Sequence, residues 1–321
     1  RHTRFRNVTG VQTCALPISN SVTEFYRSDN QTIPSGKFGN IVFSGEGTKL
    51  CSASLDVNSF LINSGVIVDG GNYVHTITGN FENNGTFQSS GEIIFQGAHQ
   101  SLLTSSLNNA TFAGEGVKTL LKGILFTGSV NINPHAILDG GSYHHFVYGN
   151  WNNNGKFYSS GEVEFNGESQ NITTSSFDNI SFSGNGTKYL TGPLIIGGSV
   201  KISPSVFLDG GSYTHTIYHN WDNSGTLYSQ GTVVFAGDAQ SISTSNFHNV
   251  QLSGSGMKSA LGNISISGNF DIENGITFNA KSYSVSISGN FVNKGIFNAQ
   301  TSSVIFNGSA VQSVDAASFF K

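Results

Sequence analysis

Apolar and polar side chains alternate in short runs along nearly the whole chain, and each run is cut off by glycine, asparagine, serine or proline. Alternation with period two predicts half-buried β-strands, and the Asn-Gly, Gly-Gly, Ser-Gly and Ser-Pro pairs between the runs predict tight turns. In the stretch 161–230 the runs fall at 163–165, 171–173, 179–182, 188–190, 194–196, 200–202, 206–208, 213–218 and 226–228. No run approaches the roughly eighteen apolar residues of a membrane-spanning helix. The pattern specifies an all-β chain of very short strands.

The runs recur at a fixed interval. Asp69-Gly70-Gly71, Asp139-Gly140-Gly141 and Asp209-Gly210-Gly211 lie 70 residues apart, and each leads into Tyr-x-His at His75, His145 and His215. Asn83, Asn153, Asn223 and Asn293 keep the same spacing, as do Phe81, Trp151, Trp221 and Phe291, and Gln31, Gln100, Gln170, Gln240 and Gln312 mark a further series. Regular self-similarity of this kind indicates a solenoid. Units of about 70 residues are expected at 21–90, 91–160, 161–230 and 231–301, with a partial unit at 302–321. Together they make one continuous solenoid over 19–321, cut at both ends.

The expected fold is a parallel β-helix with three strands per coil, roughly 23 residues per coil and so about three coils per unit. In such a coil each strand pairs above and below, inward side chains stack into an apolar column, and glycine and asparagine take left-handed corners. Strands in neighbouring coils lie ~4.8 Å apart, so about thirteen coils would give a rod on the order of 60 Å long. A string of small antiparallel sandwiches is the competing arrangement.

Residues 1–18 stand outside the repeat. The run Val8-Thr-Gly-Val-Gln-Thr-Cys-Ala-Leu-Pro-Ile18, preceded by Arg1-His-Thr-Arg4, resembles the in-frame translation of a sequencing adapter, which implies an artefactual, unstructured leader. A signal peptide is the rival reading, although the apolar stretch is short and carries Gln12 and Thr13. Without this segment three arginines leave, so 15 Lys+Arg against 19 Asp+Glu becomes 12 against 19, and the formal charge moves from -4 to -7. A chain of that charge lacks the clustered cations that phosphate binding needs, so nucleic acid is not expected as a partner. Cys51 is then the sole cysteine; it has no partner for an internal disulfide and reads as a core residue.

Several repeated residues invite a chemical reading. The histidines share a strand face with Tyr73 and Ile77, or their counterparts, and the fourth copy has Val285 at that place, which suits an interior position better than a metal ligand. Asp69, Asp139 and Asp209 are weak candidates for calcium, because each turn offers one carboxylate and the fourth copy reads Asn279-Ala280-Lys281. Glu162 and Glu164 share one strand face as a paired-carboxylate candidate, but their counterparts vary, so a solvated outer face is expected. Lys49, Lys118, Lys188 and Lys258 each follow a Gly-x-Gly turn, either as corner lysines that block edge pairing or as a basic row for an acidic glycan. Phe81, Trp151, Trp221 and Phe291 fit packing better than sugar stacking. No catalytic residue and no cofactor are expected.

The run Gly149-Asn-Trp-Asn-Asn-Asn-Gly155, followed by Val163-Glu-Phe-Asn-Gly167, Gln170 and Phe177-Asp-Asn-Ile180, resembles the repeats of large secreted surface proteins of Bacteroidetes-type bacteria. The resemblance implies an extended β-solenoid at the cell surface or outside the cell. The expected role is a non-enzymatic stalk or adhesin segment that meets glycans or surface proteins through many equivalent weak contacts in register. The alternative is a β-helical polysaccharide lyase or glycoside hydrolase, or its spacer. Equal unit lengths argue against the irregular loops that would build one cleft.

Overall fold

A computed structural model describes residues 21–316, together with the backbone of residues 2–4. Of the adapter-like segment only His2–Arg4 falls within the described residues, as a strand parallel to Val22–Phe25, whereas the rest of 1–18 lies outside them. The chain divides into two compact units, residues 1–161 and 162–321. Each is an all-β parallel solenoid.

In the first unit two eight-residue strands, Gly36–Phe43 and Leu55–Ile62, run side by side. Leu55–Ile62 then pairs with two shorter strands, Val74–Ile77 and Phe81–Asn83. From there three ladders grow. One runs Val74–Ile77, Glu92–Phe95, Asn109–Phe112, Val130–Ile132, Trp151–Asn153. The next runs Phe81–Asn83, Gln100–Leu103, Gly116–Leu120, Ala136–Asp139, Lys156–Tyr158. On the third side lie Gln31–Ile33, Thr48–Cys51, Ile67–Asp69 and Thr86–Gln88, and then Ser106–Leu107, Leu125–Phe126 and His144–Val147. The second unit has the same plan. Its longest ladder begins with Glu162–Phe165, Asn179–Phe182, Val200–Ile202 and Trp221–Asn223. All these pairings are parallel, which rules out antiparallel sandwiches.

Coil length corrects one expectation. His75, Ile93, Ala110, Val130 and Trp151 stand in one column, separated by 18, 17, 20 and 21 residues rather than 23. Eleven strands, not nine, run from Val74–Ile77 through Ala136–Asp139 before the next copy of the motif begins at His144–Val147. Since every third strand pairs, eleven strands make three and two-thirds coils, and a copy falls on a different side from its predecessor. Within the first unit His75 lies in the ladder of Glu92–Phe95, whereas His145 follows Leu125–Phe126. Within the second, His215 joins Thr232–Phe235, whereas Val285 joins Val304–Phe306.

Apolar side chains fill both interiors. In the first unit Phe25, Phe43, Phe60, Phe81, Phe95 and Phe112 form a run of neighbouring rings with centroids 5.0–5.8 Å apart. In the second Trp221 packs against Phe247 at 5.6 Å, and Phe270 against Phe291 at 5.7 Å. The recurring aromatics Phe81, Trp151, Trp221 and Phe291 are therefore core residues, each burying area at about 25 cal/mol per Å². Small rings of contact like these also fix which strand sits above which.

The corners differ from expectation in mechanism. Asn83, Asn153 and Asn223 are not left-handed; each Oδ1 accepts the N–H two residues on, at Gly85, Gly155 and Gly225, over 3.1, 3.1 and 3.0 Å. These are Asx turns. The glycine that follows is required by crowding, because a Cβ on Gly225 would stand 2.5 Å from Ser203 O and 2.6 Å from Val206 O. Gly225→Ala is thus expected to cost about 2 kcal/mol of unfolding free energy, at the scale of an overpacked core, measured by urea titration.

Candidate functional site

The repeated histidines are enclosed in the interior, at 1, 2 and 4% exposure for His75, His145 and His215. Each bridges two peptide groups. Nδ1 accepts the N–H of Leu55, Ile124 or Leu194 at 3.2 Å, and Nε2–H donates to the carbonyl of Gly70, Gly140 or Gly210 at 2.8 Å. An N–H donor at Nδ1 fixes the neutral tautomer protonated at Nε2. Both ring nitrogens are then engaged by backbone, so neither offers a lone pair to a metal. Burial holds all three pKa values below the ordinary 6.5, against the raising pull of the glycine carbonyl.

The fourth copy shows what the imidazole replaces. There Ile264 N–H, the counterpart of Leu194 N–H, bonds directly to Ser284 O at 2.9 Å, and Ala280 O accepts Tyr283 N–H at 3.1 Å. With backbone closing the corner, the histidine becomes Val285 and the glycine before it becomes Ala280. The two changes are coupled, since a Cβ on Gly70 would stand 3.1 Å from His75 Nε2 and 2.8 Å from Phe87. Lys281 takes φ 53°, close to the 60–63° of Gly71, Gly141 and Gly211. Glycine's left-handed conformation is thus kept by a residue that favours it less.

The aspartates cap these same turns. Asp69, Asp139 and Asp209 accept the N–H of Gly71, Gly141 and Gly211 at 2.8, 3.0 and 2.9 Å, and Asn279 does the same for Lys281 at 3.0 Å. Neighbouring coils bring no second carboxylate. Asp69 lies between Leu50 and Gln88, and Asp139 between Thr119 and Tyr158. Among the described residues no group of three or more His, Cys, Asp or Glu gathers around a common point.

Lysine overturns both readings offered for it. Lys49, Lys118, Lys188 and Lys258 are neither corner guards nor an outer basic row; all four are fully enclosed. The turn before each holds two left-handed glycines, such as Gly184 at 70° and Gly186 at 80°, and the carbonyl between them is taken by the lysine Nζ. Glu46 O, Glu115 O, Asn185 O and Ser255 O accept it at 2.7, 2.9, 3.1 and 2.7 Å. Further carbonyls join them, from Arg27 at Lys49, Gly114 at Lys118, Gly167 at Lys188, and both Gly237 and Asp238 at Lys258. At Lys258 the three acceptors match the three N–H bonds of an ammonium. Burial lowers all four pKa values from 10.5, to about 8 at Lys188, which still leaves that group protonated at neutral pH. Strand parity held the signal, since Lys188 shares its side with the inward Leu190.

Glutamine closes the remaining corner. Gln100 accepts Gly97 N–H at 2.8 Å and donates to Ile77 O and Gly79 O in the preceding coil at 3.0 and 2.5 Å. Gln240 and Gln312 repeat the pattern. Other candidates are quieter. Cys51 is buried, and desolvation pushes its thiol up to about 12, so it supplies no thiolate. The carboxylates of Glu162 and Glu164 accept the hydroxyls of Ser181 on the adjoining strand and of Ser183 just past its end. A shallow groove in the first unit is lined by Ile124, Leu125, Phe146, Tyr148 and His144, whose ring stacks on Phe146 at 4.1 Å. No helix among the described residues is long and apolar enough to cross a membrane. Comparison with protein families, curated proteins and solved structures finds no match to the chain.

His215→Val leaves Leu194 N–H and Gly210 O without partners and is expected to lower stability by about 2 kcal/mol at pH 7. The wild-type chain should lose stability as pH falls below about 6.5, because the unfolded histidines take up protons that the folded ones resist. Thermal unfolding between pH 7 and 5 should show a smaller fall for the valine variant. Lys188→Met uncovers Gly167 O and Asn185 O, again at about 2 kcal/mol. Its deficit against wild type should widen from pH 8 to 10.5, where unfolded Lys188 keeps a proton that the folded form gives up, so that the wild type gains stability in that window.

Proposed function

We propose that the chain is a non-enzymatic segment of a secreted or cell-surface protein, a stalk or adhesin region whose outer strand faces meet glycans or surface proteins. The observation that carries this reading is where the repeated polar groups lie. Histidine, lysine, glutamine and aspartate, the residues from which a site would be assembled, bind peptide groups at the corners of successive coils. Their chemistry is directed at holding coils together. The likeness of the repeats to those of bacterial surface proteins supports the same placement.

The manner of contact differs from simple multivalency. Within each unit the copies of a motif lie in different ladders, so equivalent outward residues do not line up as one row of identical contacts. Contacts would instead be made by individual faces of individual coils. Antibodies against residues 21–316 should label intact cells of the source organism, and the purified chain should release no reducing ends from a polysaccharide panel. Labelling only after cell lysis would overturn the placement, and turnover would overturn the non-enzymatic role.

A further inference from the structure

We propose that one outward face in the second unit binds an uncharged polysaccharide, with Tyr189, Phe207 and Tyr228 as its stacking rings. This inference rests on the surface-contact reading above and gives it a place and a class of partner. The three residues lie on successive strands of one ladder, Gly186–Leu190, Val206–Asp209 and Thr226–Tyr228. All three rings are open to solvent, at 41, 39 and 46% exposure.

The register sets their arrangement. Thr187, Phe207 and Thr226 stand in one outward column, and Tyr189, Asp209 and Tyr228 in the next, with Asn171 one coil below Tyr189. The rings of Phe207 and Tyr228 are nearly parallel, 21° apart with centroids at 6.4 Å, and Gln230 Nε2 donates to Tyr228 Oη at 2.7 Å. Successive coils advance by ~4.8 Å, comparable to one sugar residue in an extended glycan, so each of the three coils carries one ring, alternating between the two columns, at about the period of such a chain.

The chemistry selects among ligands. Flat exposed rings match the C–H faces of pyranoses, while Thr187, Asp209 and Thr226 offer donors and acceptors for hydroxyls. The outward positions of these columns carry one carboxylate and no cation, which disfavours uronate or sulfated polymers and nucleic acid.

The face also departs from the repeat. The counterparts of Tyr189 are Leu50, Thr119 and Ser259, those of Phe207 are Ile67, Ile137 and Thr277, and those of Tyr228 are Gln88, Tyr158 and Asn298. Of these four copies only the one in 186–228 is aromatic at all three places. The inward residues of the same strands, Lys188, Leu190 and Leu208, keep to the packing plan. Packing therefore does not account for the change.

The test is calorimetric titration of the purified chain with cellohexaose, xylohexaose, mannohexaose and chitohexaose, and with a galacturonic acid hexamer as charged counterpart. Binding of an uncharged hexamer is expected. Each of Tyr189→Ala, Phe207→Ala and Tyr228→Ala should weaken it about tenfold. Tyr158→Ala, an exposed ring in the first unit, should leave it unchanged, and unaltered thermal unfolding would show that the variants fold. No binding of the uncharged hexamers, a preference for the galacturonate, or equal affinity in the triple variant would overturn the proposal. So would self-association that the triple variant abolishes, which would assign the face to a second copy of the chain. Cleavage of a bound hexamer would overturn the non-enzymatic role and leave the binding face standing, so the two failures are distinguishable.

Discussion

The fold depends on satisfying peptide groups at its corners. A coil of three very short strands turns its backbone several times within about twenty residues, and at each turn some N–H or C=O groups leave the ladder and face an apolar interior. Each group left without a partner costs roughly 1–3 kcal/mol. Against a typical domain stability of about 5–15 kcal/mol, a few such groups would be enough to unfold a unit. Side chains that reach inward and bond to backbone are therefore as necessary as the phenylalanines between them.

Three devices meet this need, and each suits the sign of the group it serves. Where a turn between two left-handed glycines aims a carbonyl inward, an ammonium with three donors collects it together with carbonyls nearby. Where a donor and an acceptor are both stranded, neutral imidazole supplies one of each. The glutamine amide does likewise, with one acceptor and two donors that reach the coil below. At the corner around Ala280 the backbone closes on itself, and there the histidine is dispensed with. The burial of four lysines is tolerable on the same grounds, because each charge meets oriented carbonyl dipoles.

Much of this was legible in the sequence. Period-two runs and turn residues give an all-β parallel solenoid, and the valine in place of the fourth histidine marks that site as interior. Two things were hidden. Coil length cannot be read from the 70-residue period, because strands pair by position in the coil and eleven strands do not divide by three. Charge suggests a surface for the lysines, whereas their parity with Cys51, Leu120, Leu190 and Ala260 places them inside. Turn chemistry outweighed the ordinary preference of an ammonium for water.

The mismatch between repeat and coil bears on where function can reside. A motif whose two copies within a unit lie on different sides of the coil must work on both, so it can encode only what those sides share, which is an interior and a corner. Outward positions escape that demand, since a side chain in solvent is coupled to the fold mainly through its strand propensity. Repetition in this chain therefore identifies scaffold. The places to seek a partner are outward positions where one copy differs from its fellows while the inward residues of the same strand do not, as at Tyr189 beside Lys188 and Phe207 beside Leu208.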